Sequence, residues 1–559
     1  MMKSIFLVRT LCAAVILMAV GCGQGKDERA GNKPFDIPLD FQNEIKRLTD
    51  EKATLIKKIE ENNQTEKVEY EPDSTAWNKE LQAFIEAAEF NAPGAESKYS
   101  VDTATLSGPQ LTRYTYTAQN EKEKVKTVTL LMRGDKTTEV SFEVSNTTAV
   151  FSYRKTLTYR PRRGYRIEST LKIAGLIDKS VTVQGVFKGS EIPLYLHFDI
   201  DDETLTVPAF KRDHELEIVN GSERITLKIK RDDQGYTADF PVFNSKMFFH
   251  RYNELPEGKW VNYDRGDDYE IPFASSYAFI PPNEAGNDYT GKYAVTFEHP
   301  QKQTPAVAVF TQTGGTLYGT FMTNTGDYRH LAGRVIQDSF RLTTFDGSFA
   351  YLFSGSFSEP NQIRGTYHSG NHYRAPFAGE RNDQAELADA KTLTYLKEGY
   401  DRLEFTFRDF DRNPVSLRDE RFQNKPVLIT LMGSWCPNCK DEALFLEQLY
   451  QKYARDELEI IGLAFERKAD DDFAQKAVEK MQRDLGLSFP VLLTGYAPKD
   501  AGKALPALNH VMSFPTLIVL DSRGEVVEIH TGFKGPATGE PYEEFTREME
   551  ELIEGLIQE

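Results

Sequence analysis

The fold of the C-terminal part of this 559-residue chain is decided by one short stretch, Gly-Ser-Trp-Cys-Pro-Asn-Cys at residues 433–439. It follows a nearly continuous apolar run at 426–431, which is typical of a buried central strand. The segment that comes after it, 440–453, is predicted to be a helix. Cys436 and Cys439 therefore stand where a strand ends and a helix begins.

This position suits thiol chemistry. Unpaired N–H groups and the macrodipole favour an anion at a helix N-terminus, so we expect Cys436 to be an accessible, nucleophilic thiolate. Cys439 lies one turn into the helix, where it is expected to be shielded and to resolve the mixed disulfide. A zinc site would need a second ligand pair. A purely structural bridge closing so short a loop would constrain little.

The surrounding residues, 403–559, follow the order βαβαββα. A hairpin is predicted around Arg412-Asn413-Pro414. The remaining strands are predicted at 458–465, 489–493, 516–520 and 526–530, and the remaining helices at 470–485 and 542–557. Phe514-Pro515-Thr516 stands before the last pair of strands.

With these residues in view, the domain resembles the TlpA/ResA branch of the thioredoxin superfamily. The resemblance covers residues 400–559 and rests on the stretch 433–439, on Glu442, on Phe514-Pro515-Thr516 and on His530-Thr531-Gly532. Two positions depart from the family pattern. Pro437 occupies the first position between the cysteines, where many relatives have proline at the second, and Phe514 replaces the usual Thr or Ile.

The resemblance implies an α/β thioredoxin fold and several site residues beside the two cysteines. Trp435 adjoins the pair. Pro515 is expected to be cis and to lie against the dithiol, where neighbouring backbone can pair with an extended substrate segment. Glu466 matches an acidic residue that tunes thiol protonation in the family, and a solvated loop carboxylate is the alternative interpretation of Glu466.

The implied activity is thiol–disulfide exchange through Cys436 and Cys439, with protein disulfide reduction favoured. The expected substrates are apocytochrome c or other oxidised envelope proteins, and the expected electron donor is a membrane protein of the CcdA/DsbD type. A disulfide oxidase or isomerase is an alternative. Another is a β-rich ligand- or partner-binding lipoprotein with an accessory redox domain.

No cofactor, metal or nucleic acid is expected. His368 and His372 are four residues apart, but no further ligand stands at a recognisable spacing. The formal net charge of −18 argues against binding to phosphate backbones.

The N-terminus predicts export. Lys3 and Arg9 accompany a ten-residue apolar run at 11–20. This run is shorter than the roughly 20 residues that cross a membrane, so 1–21 is predicted to be a signal peptide. Residues 18–22 resemble a bacterial lipobox, which predicts lipidation of Cys22. A free Cys22 after ordinary cleavage is the alternative.

Acyl chains on Cys22 would hold the protein in the cell envelope, facing the periplasm or exposed at the surface. Cys12 would leave with the signal peptide. Only Cys436 and Cys439 would then remain besides the anchor. A secreted chain with one such pair uses it for chemistry, since it has no disulfide framework.

The middle of the chain predicts several further units. Residues 22–40 are predicted to be a tether, and 41–98 a helical segment whose apolar stripe includes Ile45, Leu48, Leu55, Ile56 and Ile59. From 99 to 381, period-two alternation and turn signals such as Asn324-Thr325-Gly326 predict antiparallel sandwich or half-barrel modules, loosely similar to the N-terminal regions of large lipoprotein members of the family.

A break at Pro256-Glu257-Gly258 would divide this region into modules 99–255 and 256–381, and 382–402 would link it to the redox domain. The predicted fold class is therefore multidomain: a helical N-terminal segment, antiparallel β modules and a C-terminal α/β thioredoxin fold.

Overall fold

The computed structural model describes residues 40–558 except for gaps at 62–63, 92–93, 95–96, 107–110, 175, 234, 254, 267, 282–286, 300–301, 359–360, 454–456 and 469–470. The signal peptide predicted at 1–21, lipidation of Cys22 and the tether up to residue 39 lie outside the described residues. None of the helices that the structure describes is long and apolar enough to cross a membrane.

The first sheet has nine antiparallel strands. These are β1 (Thr54–Glu61), β2 (Gln64–Tyr70), β3 (Tyr99–Leu106), β4 (Leu111–Ala118), β5 (Val125–Arg133), β6 (Lys136–Thr147), β7 (Phe151–Arg160), β8 (Gly164–Ile173) and β9 (Ile177–Lys188). Their order across the sheet is β2-β1-β9-β8-β7-β6-β5-β4-β3.

Two helices pack on this sheet, α1 (Phe41–Asp50) and α2 (Ser74–Ala88). Each begins after an aspartate whose carboxylate accepts backbone N–H groups of the first turn, as N-caps do. Trp77 and Phe84 of α2 are fully buried. The Trp77 ring meets the Phe187 ring edge-on with centroids 5.4 Å apart.

The helical segment predicted at 41–98 is only partly helical. Leu55, Ile56 and Ile59 belong to β1, which pairs with β9 along its whole length. Their spacing fits a helix as well as a strand, and the pairing with a distant strand decides between the two. The helical stripe ends at Leu48.

The second sheet is also nine-stranded and antiparallel. Its strands are β10 (Ile192–Ile200), β11 (Glu203–Lys211), β12 (Glu215–Asn220), β13 (Glu223–Lys228), β14 (Lys230–Asp232), β15 (Gly235–Asp239), β16 (Ser245–Arg251), β17 (Glu257–Asn262) and β18 (Glu270–Tyr277). They follow the order β13-β12-β11-β10-β18-β17-β16-β15-β14.

The break predicted at Pro256-Glu257-Gly258 falls inside this second sheet. Strand β17 begins at Glu257 and is hydrogen-bonded to β16 on one side and β18 on the other. The turn signal therefore marks a hairpin, and the sheets change at 189–191 and again between Tyr277 and Gly291.

The third sheet closes into a barrel. Its strands are β19 (Gly291–His299), β20 (Lys302–Thr313), β21 (Thr316–Thr323), β22 (Gly326–Asp327), β23 (Leu331–Ile336), β24 (Ser339–Phe345), β25 (Ala350–Ser358), β26 (Gln362–Ser369) and β27 (Tyr373–Arg381). The order is β20-β19-β27-β26-β25-β24-β23-β21-β22, and pairing of β20 with β21 closes the ring. Antiparallel β structure is confirmed, and this module is a full barrel filled with aromatic side chains.

The C-terminal domain has the predicted thioredoxin-like organisation. Its strands are β28 (Thr406–Arg408), β29 (Pro414–Ser416), β30 (Val427–Met432), β31 (Glu459–Ala464), β32 (Val491–Leu493), β33 (Thr516–Leu520) and β34 (Val526–Thr531). The helices are α3 (Ala390–Leu393), α4 (Pro437–Lys452), α5 (Asp471–Leu485), α6 (Ala501–Ala504) and α7 (Glu540–Gln558). The sheet order is β29-β28-β32-β31-β30-β33-β34. Strand β30 is an interior strand, parallel to β31 on one side and antiparallel to β33 on the other.

The second sheet and the C-terminal domain share one hydrophobic core. A single cluster of buried side chains joins Phe240 and Phe345 to Met432, Phe445 and other residues of the C-terminal domain. The β region is therefore packed tightly against the domain that contains the cysteine pair.

Candidate active site

The cysteine pair lies at the junction of β30 and α4, as predicted. Cys436 is the N-cap of α4, and its Sγ accepts the N–H of Cys439 at 3.2 Å. Pro437 takes the first helical position, where its missing N–H leaves no donor unpaired. Both cysteines are free thiols.

The two thiols differ less in exposure than expected. Cys439 is 1% exposed, in agreement with its predicted shielding, but Cys436 is only 5% exposed and so is not openly accessible. Burial, together with the hydrogen bond and charge of Cys436, raises the pKa of Cys439 well above its ordinary value. Cys439 is therefore held as a thiol until a base removes its proton.

The loop before β33 meets the dithiol. The Phe514–Pro515 peptide bond is cis, as predicted. The Phe514 carbonyl oxygen lies 3.4 Å from Cys436 Sγ and can accept its S–H. This contact places the backbone next to Pro515 where a disulfide substrate would have to lie.

Trp435 forms one side of the site. Its Nε1–H donates to the Phe465 carbonyl at 2.9 Å, and its ring meets the Phe514 ring edge-on with centroids 5.8 Å apart. A side chain at Gly433 would not fit, because its Cβ would lie 2.3 Å from Trp435 Nε1. The glycine therefore allows the indole to fold back beside the cysteines.

Glu442 is fully buried, one helical turn after Cys439. Its Oε2 accepts the Thr430 hydroxyl at 2.5 Å, and its Oε1 has no hydrogen-bond partner among the described residues. Burial raises the pKa of Glu442 to about 8. Positions three apart on a helix are neighbours, so a largely neutral carboxylic acid is placed beside the resolving thiol at neutral pH.

Glu466 is buried on the other side of the dithiol loop. It is 4% exposed and accepts the Ser434 N–H at 2.7 Å and the Ser434 hydroxyl at 2.8 Å. Burial raises the pKa of Glu466 to about 7, against the lowering effect of both hydrogen bonds. The interpretation of Glu466 as a solvated loop carboxylate is therefore wrong. The effect of Glu466 on the protonation of the thiols stays a prediction.

The variant Ser434→Ala tests the protonation state of Glu466. Hydrogen bonds to ionised groups contribute about 1.5–3 kcal/mol and neutral ones about 0.5–1.5 kcal/mol. Because Glu466 titrates at about pH 7, we expect the loss in unfolding free energy to be larger at pH 9 than at pH 5. Denaturant unfolding at both pH values measures it. Ser513→Ala, which removes a partly buried hydrogen bond to a backbone carbonyl, should show a loss that does not change with pH.

Side chains of the β region complete the site, and sequence reasoning missed them. Arg329, 1% exposed, pairs with Asp441 of α4 and, at 2.8 Å, with Glu223. Glu223 also pairs with Lys440 of α4 at 2.8 Å. Only the turn signal at 324–326 marked this neighbourhood, and nothing in it indicated contact with the cysteines.

No metal centre was expected. In the parts of the chain that the structure describes, no three His, Cys, Asp or Glu side chains converge as metal ligands would. His368 is buried, and the exposed His372 contacts Arg265 and Tyr269.

The C-terminal domain is similar to known proteins. The Redoxin family model matches residues 398–543. The thiol-disulfide oxidoreductase ResA of Bacillus anthracis is 30% identical over 145 residues, which are 26% of this chain and 74% of that protein. The thioredoxin-like protein YneN of Bacillus subtilis is 28% identical over 137 residues, 24% of this chain and 73% of that protein. The crystal structure of StoA from Bacillus subtilis aligns at 19% identity with a TM-score of 0.20, covering 26% of this chain and 94% of that one.

The fold and the dithiol at the start of α4 thus define a thiol–disulfide oxidoreductase of the thioredoxin superfamily. Within that class, the chain belongs to the TlpA/ResA-type family.

Proposed function

We propose that this oxidoreductase works as a reductase of disulfides outside the cytoplasm, anchored in the cell envelope through acylated Cys22. Its substrates would be oxidised envelope proteins such as apocytochrome c, and a membrane protein of the CcdA/DsbD type would return it to the dithiol form. The family resemblance favours the reducing direction. The observation that supports exchange through Cys439 is the buried Glu442 one helical turn away, because its ionised fraction can take up the proton that Cys439 must lose when it resolves the mixed disulfide.

The exchange has two steps. The Cys436 thiolate attacks one sulfur of the substrate disulfide, whose S–S bond breaks, and the leaving substrate sulfur takes up a proton. Cys439 then loses its proton and attacks Cys436 Sγ, which releases the second substrate sulfur and leaves the Cys436–Cys439 disulfide. The pKa of Glu442 is about 8, so its ionised fraction can accept the Cys439 proton.

The reduction potential of the purified chain tests the direction. We expect a value at or below that of thioredoxin, about −270 mV, by equilibration with glutathione redox buffers. Cys436→Ser is the control, since it cannot form the disulfide. A value near the strongly oxidising end, about −120 mV, would instead indicate a disulfide donor or isomerase.

The anchor has its own test. Cells that produce the chain are grown with labelled palmitate, and we expect label on the wild type and none on Cys22→Ser. An unlabelled wild-type chain would leave the redox activity in place and remove the lipoprotein part of the proposal.

A further inference from the structure

The covering segment, Asn324–Asp327, lies across the face of the redox domain that surrounds Cys436. The Thr325 carbonyl accepts the Ser513 hydroxyl at 2.8 Å, beside the cis-proline. The Asp327 carbonyl accepts the Asn438 side-chain amide at 3.3 Å, between the two cysteines. The Asp327 carboxylate accepts the Gly535 N–H at 2.6 Å, beyond β34. One short segment therefore contacts three loops of the redox domain around the dithiol.

A second contact covers the dithiol loop from the neighbouring turn of the barrel. The Ser348 hydroxyl donates to the Trp435 carbonyl at 3.0 Å. Both contacts surround Cys436, whose side chain is 5% exposed. Trp435 and Phe514, whose rings are in contact beside Cys436, stay partly exposed.

This cover is firmly attached. Buried ion pairs connect Glu223 and Arg329 to α4, and Lys480 of α5 donates to the Phe240 carbonyl at 2.6 Å. The cores of the second sheet and the redox domain are continuous. Large apolar interfaces hold domains in place, whereas small polar ones allow them to move.

We propose that the β region is a fixed wall over the dithiol, which restricts the substrate to small disulfides or to disulfides on extended, flexible segments and excludes folded protein surfaces. The inference rests on the proposed reductase function and names its substrate class. The electron donor meets the same wall and must likewise present its thiols on a flexible segment or through a small dithiol.

A substitution at Gly326 can perturb the covering segment directly. Its φ is +134°, and a Cβ at this position would lie 1.9 Å from the Asn438 side-chain nitrogen. Gly326→Ala should therefore displace the Asn438 side chain, break its hydrogen bond to the Asp327 carbonyl and strain the backbone of the covering segment, which loosens the cover over the dithiol loop. Gly134→Ala is the matched control, because Gly134 also has a positive φ but no atom within 4 Å of the added Cβ.

The experiment follows oxidation of the reduced full-length chain by two disulfides, glutathione disulfide and folded insulin. The mass of the peptide that contains Cys436 and Cys439 reports disulfide formation, and dithiothreitol restores the dithiol between runs. Because exchange rates depend on access to the sulfur, we expect wild type to react at least about tenfold faster with glutathione disulfide than with insulin. Gly326→Ala should raise the insulin rate about tenfold and leave the glutathione disulfide rate within about twofold, and Gly134→Ala should change neither.

If wild type reacted at equal rates with both disulfides, the proposal that the β region excludes folded proteins would be contradicted. This comparison uses only the wild-type chain and does not depend on any variant folding. The proposal would also be contradicted if Gly326→Ala reacted faster with both disulfides to the same extent. That result would mean that the covering segment limits the access of every substrate and does not select among them. If neither glutathione disulfide nor insulin oxidised the pair in wild type, the reductase function itself would be contradicted.

Discussion

Replacing Cys436 with serine is expected to reduce disulfide exchange to the uncatalysed rate. Cys436 is the N-cap of α4, and its sulfur lies 3.4 Å from the Phe514 carbonyl oxygen, so the variant loses the sulfur that we expect to start the attack. A serine hydroxyl at this position keeps an acceptor for the Cys439 N–H, and the fold should survive the change. Turnover of glutathione disulfide with dithiothreitol as reductant measures the loss.

Cys439→Ser is the informative partner of this variant. Its Cys436 can still attack, but nothing resolves the mixed disulfide, so the chain should accumulate with one glutathione attached. Mass spectrometry detects this adduct on the peptide with Cys436. Two results would contradict the assignment of Cys436 as nucleophile and Cys439 as resolving thiol. One is multiple turnover by Cys436→Ser above the uncatalysed rate, and the other is a glutathione adduct at Cys439 of that variant.

The redox centre could be predicted from the sequence because its signals are local. Cys436 and Cys439 follow a short apolar run that is typical of a buried strand, and Pro515 stands directly before strand β33. Each of these patterns lies within one or two neighbouring elements, and the structure has them as predicted. Glu466 was identified through family resemblance, but its burial depends on how the loop after β31 folds towards Ser434.

The cover over the dithiol could not be predicted, because it depends on contacts between distant parts of the chain. Ser513 and Thr325 are 188 residues apart in the sequence and meet at 2.8 Å. Asn324-Thr325-Gly326 shows only the pattern of a turn, which is the same whether the turn faces water or another domain. The same limit applies to β1, whose apolar residues fit a helix until β9 is placed beside them.

Glu442→Gln is expected to make the protein more stable at alkaline pH. The folded chain holds the Glu442 proton up to about pH 8, whereas in the unfolded chain it is lost around the ordinary value of 4.5. The folded state therefore binds more protons between these values, and wild-type stability falls as pH rises through this window. Glutamine keeps the acceptor for the Thr430 hydroxyl and cannot ionise, so the variant escapes this loss.

The expected gain in unfolding free energy of Glu442→Gln over wild type is nearly absent at pH 4.5, grows with pH and levels off above pH 8. It should reach at most about 5 kcal/mol, because one pKa unit corresponds to about 1.4 kcal/mol. Unfolding in urea across this range measures the difference between variant and wild type. Glu447→Gln on the same helix is the control, with the opposite expected effect on stability. Hydrogen bonds from Ser488 lower the pKa of Glu447, so removing its charge should destabilise the protein at neutral pH. A stability difference for Glu442→Gln that stays constant from pH 4.5 to 9 would mean that Glu442 is ionised in the folded protein, and the acid beside Cys439 would then be charged throughout the reaction.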